Sequence, residues 1–596
     1  MAYFSVARLI FLIYNYDKTL AVSSTGQVMD IFLHGLKMDA SVTGYFLILP
    51  VVYFILSSFF KGNKFGPFIK YYTFFILFIT TILMATDLRI YHHWGYRLDV
   101  SPFLYLKNPE EAVNFISFAE LAVGIPAILI MTGLCYYAFD KILKPASVSH
   151  KRSWIVTPLT FIALGILLII PIRGGVGLSP LNESSVYFST NNYCNQGATN
   201  VFWNVAHSIT ELDKQQHSYK HMPEGLAQSI VDDLYRPAKK TKKILKKKRP
   251  NIVLVVMESM TKKMLYSERD SIVITPHLNQ YGKEGIYFSN FFGSGERTDK
   301  GLVAILSGYP PIPASSITNS PKKVDQLPSL LKTLKTVGYH TSFYYGGDIN
   351  FANIKSYIIH CGPDVMVDKT SFPSKYYDAK WGVHDHLLFE KVYEDMQSDT
   401  SPWIKTILTL SNHEPFDVPQ PMIFDGDDPE RLFANAANYA DNALFEFIEC
   451  LRETPDWKNT LVILVADHST VLPFYSSHYE LARFEIPMIW LGGALKSGKQ
   501  TISKFGDQTD ISYTLLKQLN VTNEEYHFGK DLFAKDSPSF AYYVFNKGFG
   551  FVSDSITLIY DNKNKEYLVH DLFSDDFPEG VGKAHQQVIS RDFNEK

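Results

Sequence analysis

The sequence predicts a membrane-anchored chain, with an N-terminal domain of five transmembrane helices followed by an α/β domain on a largely parallel sheet. The long apolar stretches of the 596 residues lie almost entirely before Gly177, and a membrane-spanning helix needs about 20 apolar residues. From Asn251 onwards, short β-branched runs alternate with helical patterns. This alternation is typical of strands that are buried on both faces of a parallel sheet.

Five apolar stretches are predicted to cross the membrane. Lysine and arginine are concentrated in the loops after the second and fourth stretches, so those loops are expected in the cytoplasm. Alternation then places the amino terminus inside and everything after the fifth stretch outside. The first stretch contains Arg8 and Asp17, and a helix lying on the membrane surface is its alternative. The stretches are residues 2–20, 42–60, 71–88, 118–139 and 154–172.

Composition divides the chain into three parts and excludes several functions. We predict a transmembrane domain over residues 1–175, a linker over 176–250 and the α/β domain over 251–596. The formal net charge of -3 argues against a nucleic-acid-binding protein. The four cysteines provide neither a disulfide framework nor a CxxC zinc motif.

Polar side chains follow three of the predicted strands at the points where the strands end. Glu258 follows NIVLVVM, Asp467 and His468 follow LVILVA, and His413 lies in NHEPF shortly after ILTL. In an open α/β sheet, ligands bind beyond the carboxyl ends of the strands. Mixed oxygen and nitrogen ligands suit a divalent cation. We therefore expect Mn²⁺, with Zn²⁺ or Mg²⁺ as alternatives.

Thr298 is the candidate nucleophile. It lies in GSGERTDKG, directly before a predicted helix, and the free N–H groups of a helix start bind anions. A nearby cation would lower the pKa of the hydroxyl. Arg297 is expected to hold a phosphoryl oxygen. Three histidines, His384, His386 and His478, remain open as ligands, substrate contacts or structural residues.

On these motifs the chain resembles the lipoteichoic acid synthase-like phosphoglycerol transferases of the alkaline-phosphatase/sulfatase superfamily. The resemblance implies five membrane helices and an extracytoplasmic sulfatase-like catalytic domain. It implies a metal site of Glu258, Thr298, Asp467 and His468, with Thr298 as the nucleophile. It also implies that His413 contacts the substrate near the attacked phosphate and takes part in catalysis.

One element departs from that family. The Phe-Trp-Asn-Arg element, which grips glycerol phosphate in the family, corresponds here to GGDINFANIK. Phe351 and Asn353 match, and Phe351 is expected to contact the substrate. Ala352 replaces the tryptophan and Ile354 replaces the arginine.

The resemblance implies a transferase in the bacterial cytoplasmic (inner) membrane. Its donor would be phosphatidylglycerol, and its acceptor a glycan or polymer hydroxyl. A phosphoethanolamine transferase that uses phosphatidylethanolamine is the alternative, although such enzymes usually carry several disulfides. A sulfatase needs a C/S-x-P-x-R string, which Thr298-Asp299-Lys300 does not provide. A scaffold with an inactive enzyme domain is the remaining alternative.

Overall fold

The structure is a computed structural model, and it forms two compact units, residues 1–215 and 216–596, which are described separately. It describes residues 1–22, 24–57, 65–100, 102, 118–142, 155–215, 219–399, 402–478, 480–574 and 576–596.

The long elements described in the first unit are all helices. Three of its described helices contain segments long and apolar enough to cross a membrane: Thr25–Leu56, Gly66–His92 and Ala122–Lys141. The helices are α1 (Ala2–Tyr14), α2 (Tyr16–Leu20), α3 (Thr25–Ser57), α4 (Phe65–Trp94), α5 (Phe118–Ile142), α6 (Val156–Arg173), α7 (Asn192–Ala198) and α8 (Val201–Gln215).

The first and fifth predicted spans correspond to shorter helices, so the number of crossings stays a prediction. The first span is interrupted at Asn15, whose side chain donates to the Phe11 carbonyl at 3.0 Å, a local bond that competes with the helical pattern. As a result α1 has 13 residues and a length of about 20 Å, less than the ~30 Å of a bilayer core. Residues 58–60 of the second span and residue 154 of the fifth lie outside the described residues.

The second unit is built around a mixed sheet with a parallel centre. Its strands are β1 (Asn251–Met257), β4 (Ile286–Phe288), β6 (His340–Tyr345), β7 (Val365–Val367), β8 (Trp403–Leu408), β9 (Thr460–Ala466), β10 (Met488–Leu491) and β11 (Gln500–Ile502). They lie in the order β11-β4-β10-β9-β1-β8-β6-β7, and the neighbouring strands from β9 to β7 are parallel. The fully buried strands β1, β8 and β9 lie at the centre.

Within residues 484–491 only Met488–Leu491 (β10) forms a strand, and it runs antiparallel to its neighbours. It begins at Met488 and pairs with β9 and β4. Pro487 precedes it, and a proline has no N–H to donate to the ladder. The sheet is parallel from β9 to β7 and again between β4 and β11, on the other side of β10.

Helices pack around this sheet, and a second, antiparallel sheet follows it. The helices are α9 (Glu224–Leu234), α10 (Pro276–Glu284), α11 (Thr298–Ser307), α12 (Pro321–Val324), α13 (Leu330–Thr336), α14 (Ile354–Cys361), α15 (Asp385–Met396), α16 (Pro429–Glu453), α17 (Asp510–Leu519) and α18 (Val581–Glu595). The remaining strands are β2 (Glu268–Arg269), β3 (Ile272–Val273), β5 (Phe291–Phe292), β12 (Gly506–Asp507), β13 (Ala541–Phe545), β14 (Gly548–Val552), β15 (Ile556–Asp561) and β16 (Glu566–Leu572). Strands β15 and β16 form an antiparallel hairpin near the carboxyl terminus.

Helices also occur in the predicted linker, residues 176–250. It contains α7, α8 and α9, and the division between the two units lies at residues 215 and 216. The proposed boundaries at residues 175 and 250 remain predictions.

Candidate active site

The central strands end at the same level and bring their following residues together. The Thr409 N–H donates to the Val256 carbonyl at 3.0 Å, and the Asp467 N–H donates to the Met257 carbonyl at 3.1 Å. The Thr409 hydroxyl accepts the Glu258 N–H at 2.8 Å. Glu258 and Asp467 therefore lie side by side beyond the carboxyl edge of the sheet.

Glu258, Asp467 and His468 form a compact cluster. One potential ligand atom from each lies within 4.8 Å of the others. Glu258 and Asp467 are buried, whereas His468 is half-buried. His468 Nδ1 lies 3.0 Å from the Ser469 carbonyl, and a hydrogen bond there requires the proton on Nδ1. His468 Nε2 is then free to bind a cation, 3.4 Å from Asp467 Oδ2.

The cluster has the chemistry of a cation site. Asp467 Oδ1 accepts the N–H groups of Ser259 and His468, whereas the buried Asp467 Oδ2 accepts no hydrogen bond from the residues that the structure describes. Burial, followed by the charge of Asp467, raises the pKa of Glu258 well above its usual range. A divalent cation would supply the missing partner of Oδ2 and offset both carboxylates, so this donor set fits it.

Thr298 lies beside this cluster at the start of a helix. It is the first residue of α11, and its hydroxyl donates to Glu258 Oε2 at 3.4 Å. The first N–H groups of α11 have no acceptor within the helix, which favours an anion there. The structure thus brings together the hydroxyl, the two carboxylates and the imidazole that the sequence singled out.

Two residues hold α11 against the end of β9. A Cβ atom on Gly301 would lie 2.0 Å from the Asp467 carbonyl oxygen, so only glycine allows this approach. The buried Gln508 side chain donates to the Asp467 carbonyl at 2.6 Å and accepts the Ser294 N–H at 2.9 Å. It therefore ties the segment before Thr298 to the strand end that carries Asp467.

Replacing Gly301 with alanine is expected to lower activity about 100-fold, because a displacement of about 1 Å at a reacting group costs that much. The added methyl group would push α11, and with it Thr298, away from Asp467. The measurement is the release of diacylglycerol from lipid donors. Gly225→Ala is the matched control, since a Cβ there meets nothing within 4 Å. Equal activity in both variants would contradict this positioning role.

Glu296, two residues before Thr298, is fixed by a charged network. His478 Nε2 lies 2.6 Å from Glu296 Oε1, and Arg483 Nη2 donates to the same oxygen at 3.1 Å. Burial opposes ionisation, but the hydrogen bond and charge of His478 and the charge of Arg483 keep the pKa of Glu296 below its usual value. His478, in the loop that follows β9, therefore contacts the loop that leads to Thr298. Arg297, which lies between Glu296 and Thr298 in sequence, is exposed.

His413, which follows β8, is part of an aromatic cluster. Its ring lies 4.7 Å from that of Trp381, which lies 5.7 Å from that of Phe351. The Trp381 indole N–H donates to the Glu414 carbonyl at 2.6 Å. The residue after Phe351, Ala352, has a φ of 50°, an uncommon conformation for a residue with a side chain and one often found at functional sites.

The other two histidines lie outside the carboxylate cluster. His384 is buried, with Nε2 3.6 Å from Asp378 Oδ1. His386 Nδ1 lies 2.5 Å from the Tyr439 hydroxyl. Among the described residues, the group of Glu258, Asp467 and His468 is the one arranged to hold a metal ion.

Sequence reasoning missed two residues that the structure places in contact with predicted site residues. Trp381, in WGVHDH, lies beside Phe351 and His413, and an aromatic residue in a polar loop is the signal that could have found it. Gln508 precedes α17 by two positions and carries no comparable signal. Its role depends on a contact between segments about 40 residues apart in sequence.

Comparison with known proteins identifies the family of this domain. Residues 250–521 match the Sulfatase family model. The chain is 23% identical to lipoteichoic acid synthase 2 of Bacillus subtilis over 582 residues, covering 90% of this chain and 84% of that protein. It is 27% identical to phosphoglycerol transferase I of Xanthomonas campestris pv. campestris over 309 residues, covering 49% of this chain and 44% of that protein. The chain therefore spans less than half of this second relative.

Solved structures confirm the fold of the second unit. The crystal structure of the lipoteichoic acid synthase LtaP from Listeria monocytogenes superposes with a TM-score of 0.53 and 19% sequence identity. The match covers 63% of this chain and 97% of that one. The predicted sulfatase-like α/β fold is thereby confirmed.

Proposed function

Because residues 250–521 are a sulfatase-family domain and the chain is homologous to lipoteichoic acid synthases and phosphoglycerol transferases, we propose that it transfers phosphoglycerol from a lipid to a hydroxyl acceptor. The observation that carries this proposal is the hydrogen bond from the Thr298 hydroxyl to a carboxylate of the Glu258, Asp467 and His468 cluster. The proposed donor is phosphatidylglycerol, and the acceptor is a glycan or polymer.

Glu258, Thr298, Asp467 and His468 are the proposed ligands of a divalent cation, with Mn²⁺ first and Zn²⁺ or Mg²⁺ as alternatives. When bound, the cation would lower the pKa of the Thr298 hydroxyl and offset the charge of the phosphate. The hydrogen bond to Glu258 Oε2 directs that hydroxyl towards the carboxylates, so its lone pairs are available to a phosphorus atom.

In the first proposed step, Thr298 Oγ1 attacks the phosphorus while its proton passes along the hydrogen bond to Glu258 Oε2, and the bond from phosphorus to the diacylglycerol oxygen breaks. The departing oxygen takes a proton, and we assign its delivery to His413. In the second step, the acceptor hydroxyl gives its proton to His413 and attacks the phosphorus, and the bond from phosphorus to Thr298 Oγ1 breaks as Oγ1 takes its proton back from Glu258. Phe351 and Arg297 are the proposed contacts of the phosphoglycerol group. We propose that Trp381, whose indole lies beside the Phe351 ring, supplies the aromatic surface that Ala352 lacks.

A donor assay tests this proposal. The full chain in nanodiscs is supplied with Mn²⁺ and either phosphatidylglycerol or phosphatidylethanolamine, and diacylglycerol release is measured. We expect release from phosphatidylglycerol alone. Release from phosphatidylethanolamine alone would favour the phosphoethanolamine reading, although all four cysteines are unpaired. Release from neither lipid, with a glycan acceptor present, would contradict a transferase.

The proposed location is the bacterial cytoplasmic (inner) membrane, with several membrane passes and the catalytic domain outside the cytoplasm.

Apolar side chains around the site support a lipid donor. Twelve large apolar side chains are exposed among the described residues of the second unit, and eight lie in the segments that follow the carboxyl ends of the parallel strands. Aromatic side chains favour the membrane interface. The eight are Tyr266, Ile272, Phe351, Tyr377, Met422, Ile423, Phe474 and Tyr475.

Replacing both Phe474 and Tyr475 with serine is expected to lower turnover of bilayer phosphatidylglycerol about tenfold, because two apolar anchors are lost. These side chains are 48% and 75% exposed, so the fold should tolerate the change. Turnover of a short-chain, water-soluble phosphatidylglycerol should stay unchanged. The matched control replaces Leu572 and Phe573, also exposed but outside these loops. An equal loss in the control would contradict a lipid-facing role.

A further inference from the structure

The chain that follows His468 exposes two aromatic side chains next to the candidate metal ligands. They belong to residues 471–476, a loop without helix or strand that we call the aromatic loop. Phe474 and Tyr475 are 48% and 75% exposed, and Tyr475 is the most exposed large apolar side chain among the described residues of the second unit. Because a surface loop without regular structure is commonly mobile, a set position for these side chains requires bonds from outside the loop.

Lys263 supplies such bonds. Its ammonium donates to the Val471 carbonyl at 2.9 Å, to the Phe474 carbonyl at 3.1 Å and to the Ser476 hydroxyl at 2.7 Å. A lysine ammonium has three N–H groups, and three acceptors for them lie within this one loop. Hydrogen bonds from a charged donor are stronger than neutral ones, so Lys263 is the main tie between the aromatic loop and the rest of the domain.

The backbone of the aromatic loop needs this support. Phe474 has a φ of 57°, in the left-handed region that residues with large side chains rarely adopt and that persists only where the surroundings enforce it. The carbonyl of this residue accepts from Lys263, and it also accepts from the Ser476 hydroxyl at 3.4 Å. The ammonium therefore binds the loop at the residue whose backbone is strained and whose side chain is exposed.

Lys263 is itself fixed to the segment that carries Glu258. It lies in a single 3-10 turn, Lys262–Met264, whose last residue is fully buried. The Thr261 hydroxyl accepts the Lys263 N–H at 3.4 Å and the Ser469 hydroxyl at 2.9 Å. The end of β1 and the start of the chain after His468 are thus joined, and the ammonium extends this connection to the aromatic loop.

The neighbouring lysine has different partners. The Lys262 ammonium donates to the Ser289 carbonyl at 2.7 Å and to Glu485 Oε1 at 2.6 Å, and neither residue belongs to the aromatic loop. Lys262 and Lys263 are adjacent and both are half-buried. Lys262 is therefore a matched control for the role of Lys263.

We propose that Lys263 is a positioning residue for the lipid donor, because it fixes the aromatic loop so that Phe474 and Tyr475 contact the apolar part of the lipid whose phosphate is attacked by Thr298. This inference rests on the proposed function, since it takes the donor to be a lipid. Side chains that are fixed in advance lose less conformational entropy on binding. Lys263 acts through the loop, so its effect falls on capture of the lipid and not on the chemical step.

Limited proteolysis of the full chain in detergent tests the clamp without any turnover. Chymotrypsin cleaves after aromatic residues, and cleavage after Phe474 or Tyr475 reports how often the loop opens. Lys263→Met removes the ammonium but keeps the apolar stem, and we expect cleavage there to be about tenfold faster, the loss typical of one charge-assisted hydrogen bond. Lys262→Met should be cleaved at the wild-type rate.

A wild-type rate of cleavage in Lys263→Met would overturn the inference. If this variant does not fold, Ser476→Ala replaces it, because it removes one of the three acceptors and leaves the lysine in place. Faster cleavage of Ser476→Ala would then support the clamp, and cleavage at the wild-type rate would overturn it.

Diacylglycerol release from two donors tests what the loop does. Lys263→Met should lower kcat/KM for bilayer phosphatidylglycerol about tenfold, as expected for loss of Phe474 and Tyr475, and leave kcat/KM for short-chain, water-soluble phosphatidylglycerol unchanged. Adding Phe474→Ser and Tyr475→Ser to Lys263→Met should cost no more than about tenfold in all, because changes that act through one contact are not additive.

An equal loss with both lipids would show that Lys263 only supports the fold, and a loss of about 100-fold in the triple variant would show that it acts apart from the two aromatic side chains. Either result would overturn the inference and leave the proposed function standing. A wild-type chain that released no diacylglycerol from either lipid would instead contradict the proposed function, and the cleavage rates would still decide whether Lys263 holds the loop.

Discussion

Replacing Thr298 with alanine is expected to lower phosphoglycerol transfer about 10³-fold or more, as when other enzymes lose their nucleophile. The reason is chemical, because alanine has no oxygen to attack the phosphorus. Thr298 is half-buried, and the hydrogen bond from its hydroxyl to Glu258 Oε2 is long, at 3.4 Å. The free energy of unfolding should therefore change by no more than about 0.5 kcal/mol. Diacylglycerol release and a thermal unfolding curve measure the two effects.

Thr298→Ser is the matched variant, because it restores the hydroxyl and removes only a methyl group. It should recover a large part of the activity that alanine loses. If the serine and alanine variants were equally inactive, the methyl group rather than the hydroxyl would matter. If the alanine variant kept wild-type turnover, Thr298 would not be the nucleophile.

Replacing Asp467 with asparagine is expected to weaken binding of the divalent cation by about 100-fold or more, and to abolish transfer with it. Changes to groups that only orient a ligand already cost 10–100-fold, so removal of a ligand should cost at least as much. The asparagine Oδ1 can still accept the N–H groups of Ser259 and His468. The loss should therefore fall on the cation and not on the fold.

The measurement is the metal content of the purified chain, together with the rise in thermal stability on adding Mn²⁺. For the wild type, that rise should correspond to about 2.7 kcal/mol at a hundred times the Kd. Asp385→Asn is the matched control, because Asp385 is equally buried and accepts the Leu410 N–H at 2.7 Å, outside the cluster. An Asp467→Asn variant that bound Mn²⁺ like the control would remove the basis for the cation site.

The parallel part of the fold could be predicted from the sequence because buried strands have a local signature. The runs before Glu258 and Asp467 are β-branched and apolar, and the structure places both as neighbouring central strands. Parallel strands carry their following residues to one edge. The convergence of these side chains thus follows from the sheet, although their roles as ligands remain predictions.

The remaining features depend on contacts that no local pattern encodes. The approach of Gly301 to the Asp467 carbonyl and the bonds of Gln508 join segments that are distant in sequence. The sequence placed His478 among possible ligands, but its partner is Glu296, far away along the chain. Helix ends are equally hard to predict, since a single side chain, Asn15, separates α1 from α2.

Mass spectrometry of the full chain after incubation with phosphatidylglycerol and Mn²⁺, without an acceptor, tests the central claim most directly. We predict a covalent adduct with the mass of glycerol phosphate less water, located on the peptide that contains Thr298 and absent from Thr298→Ala. An adduct on another residue, or diacylglycerol release with no adduct on the wild-type chain, would contradict the account.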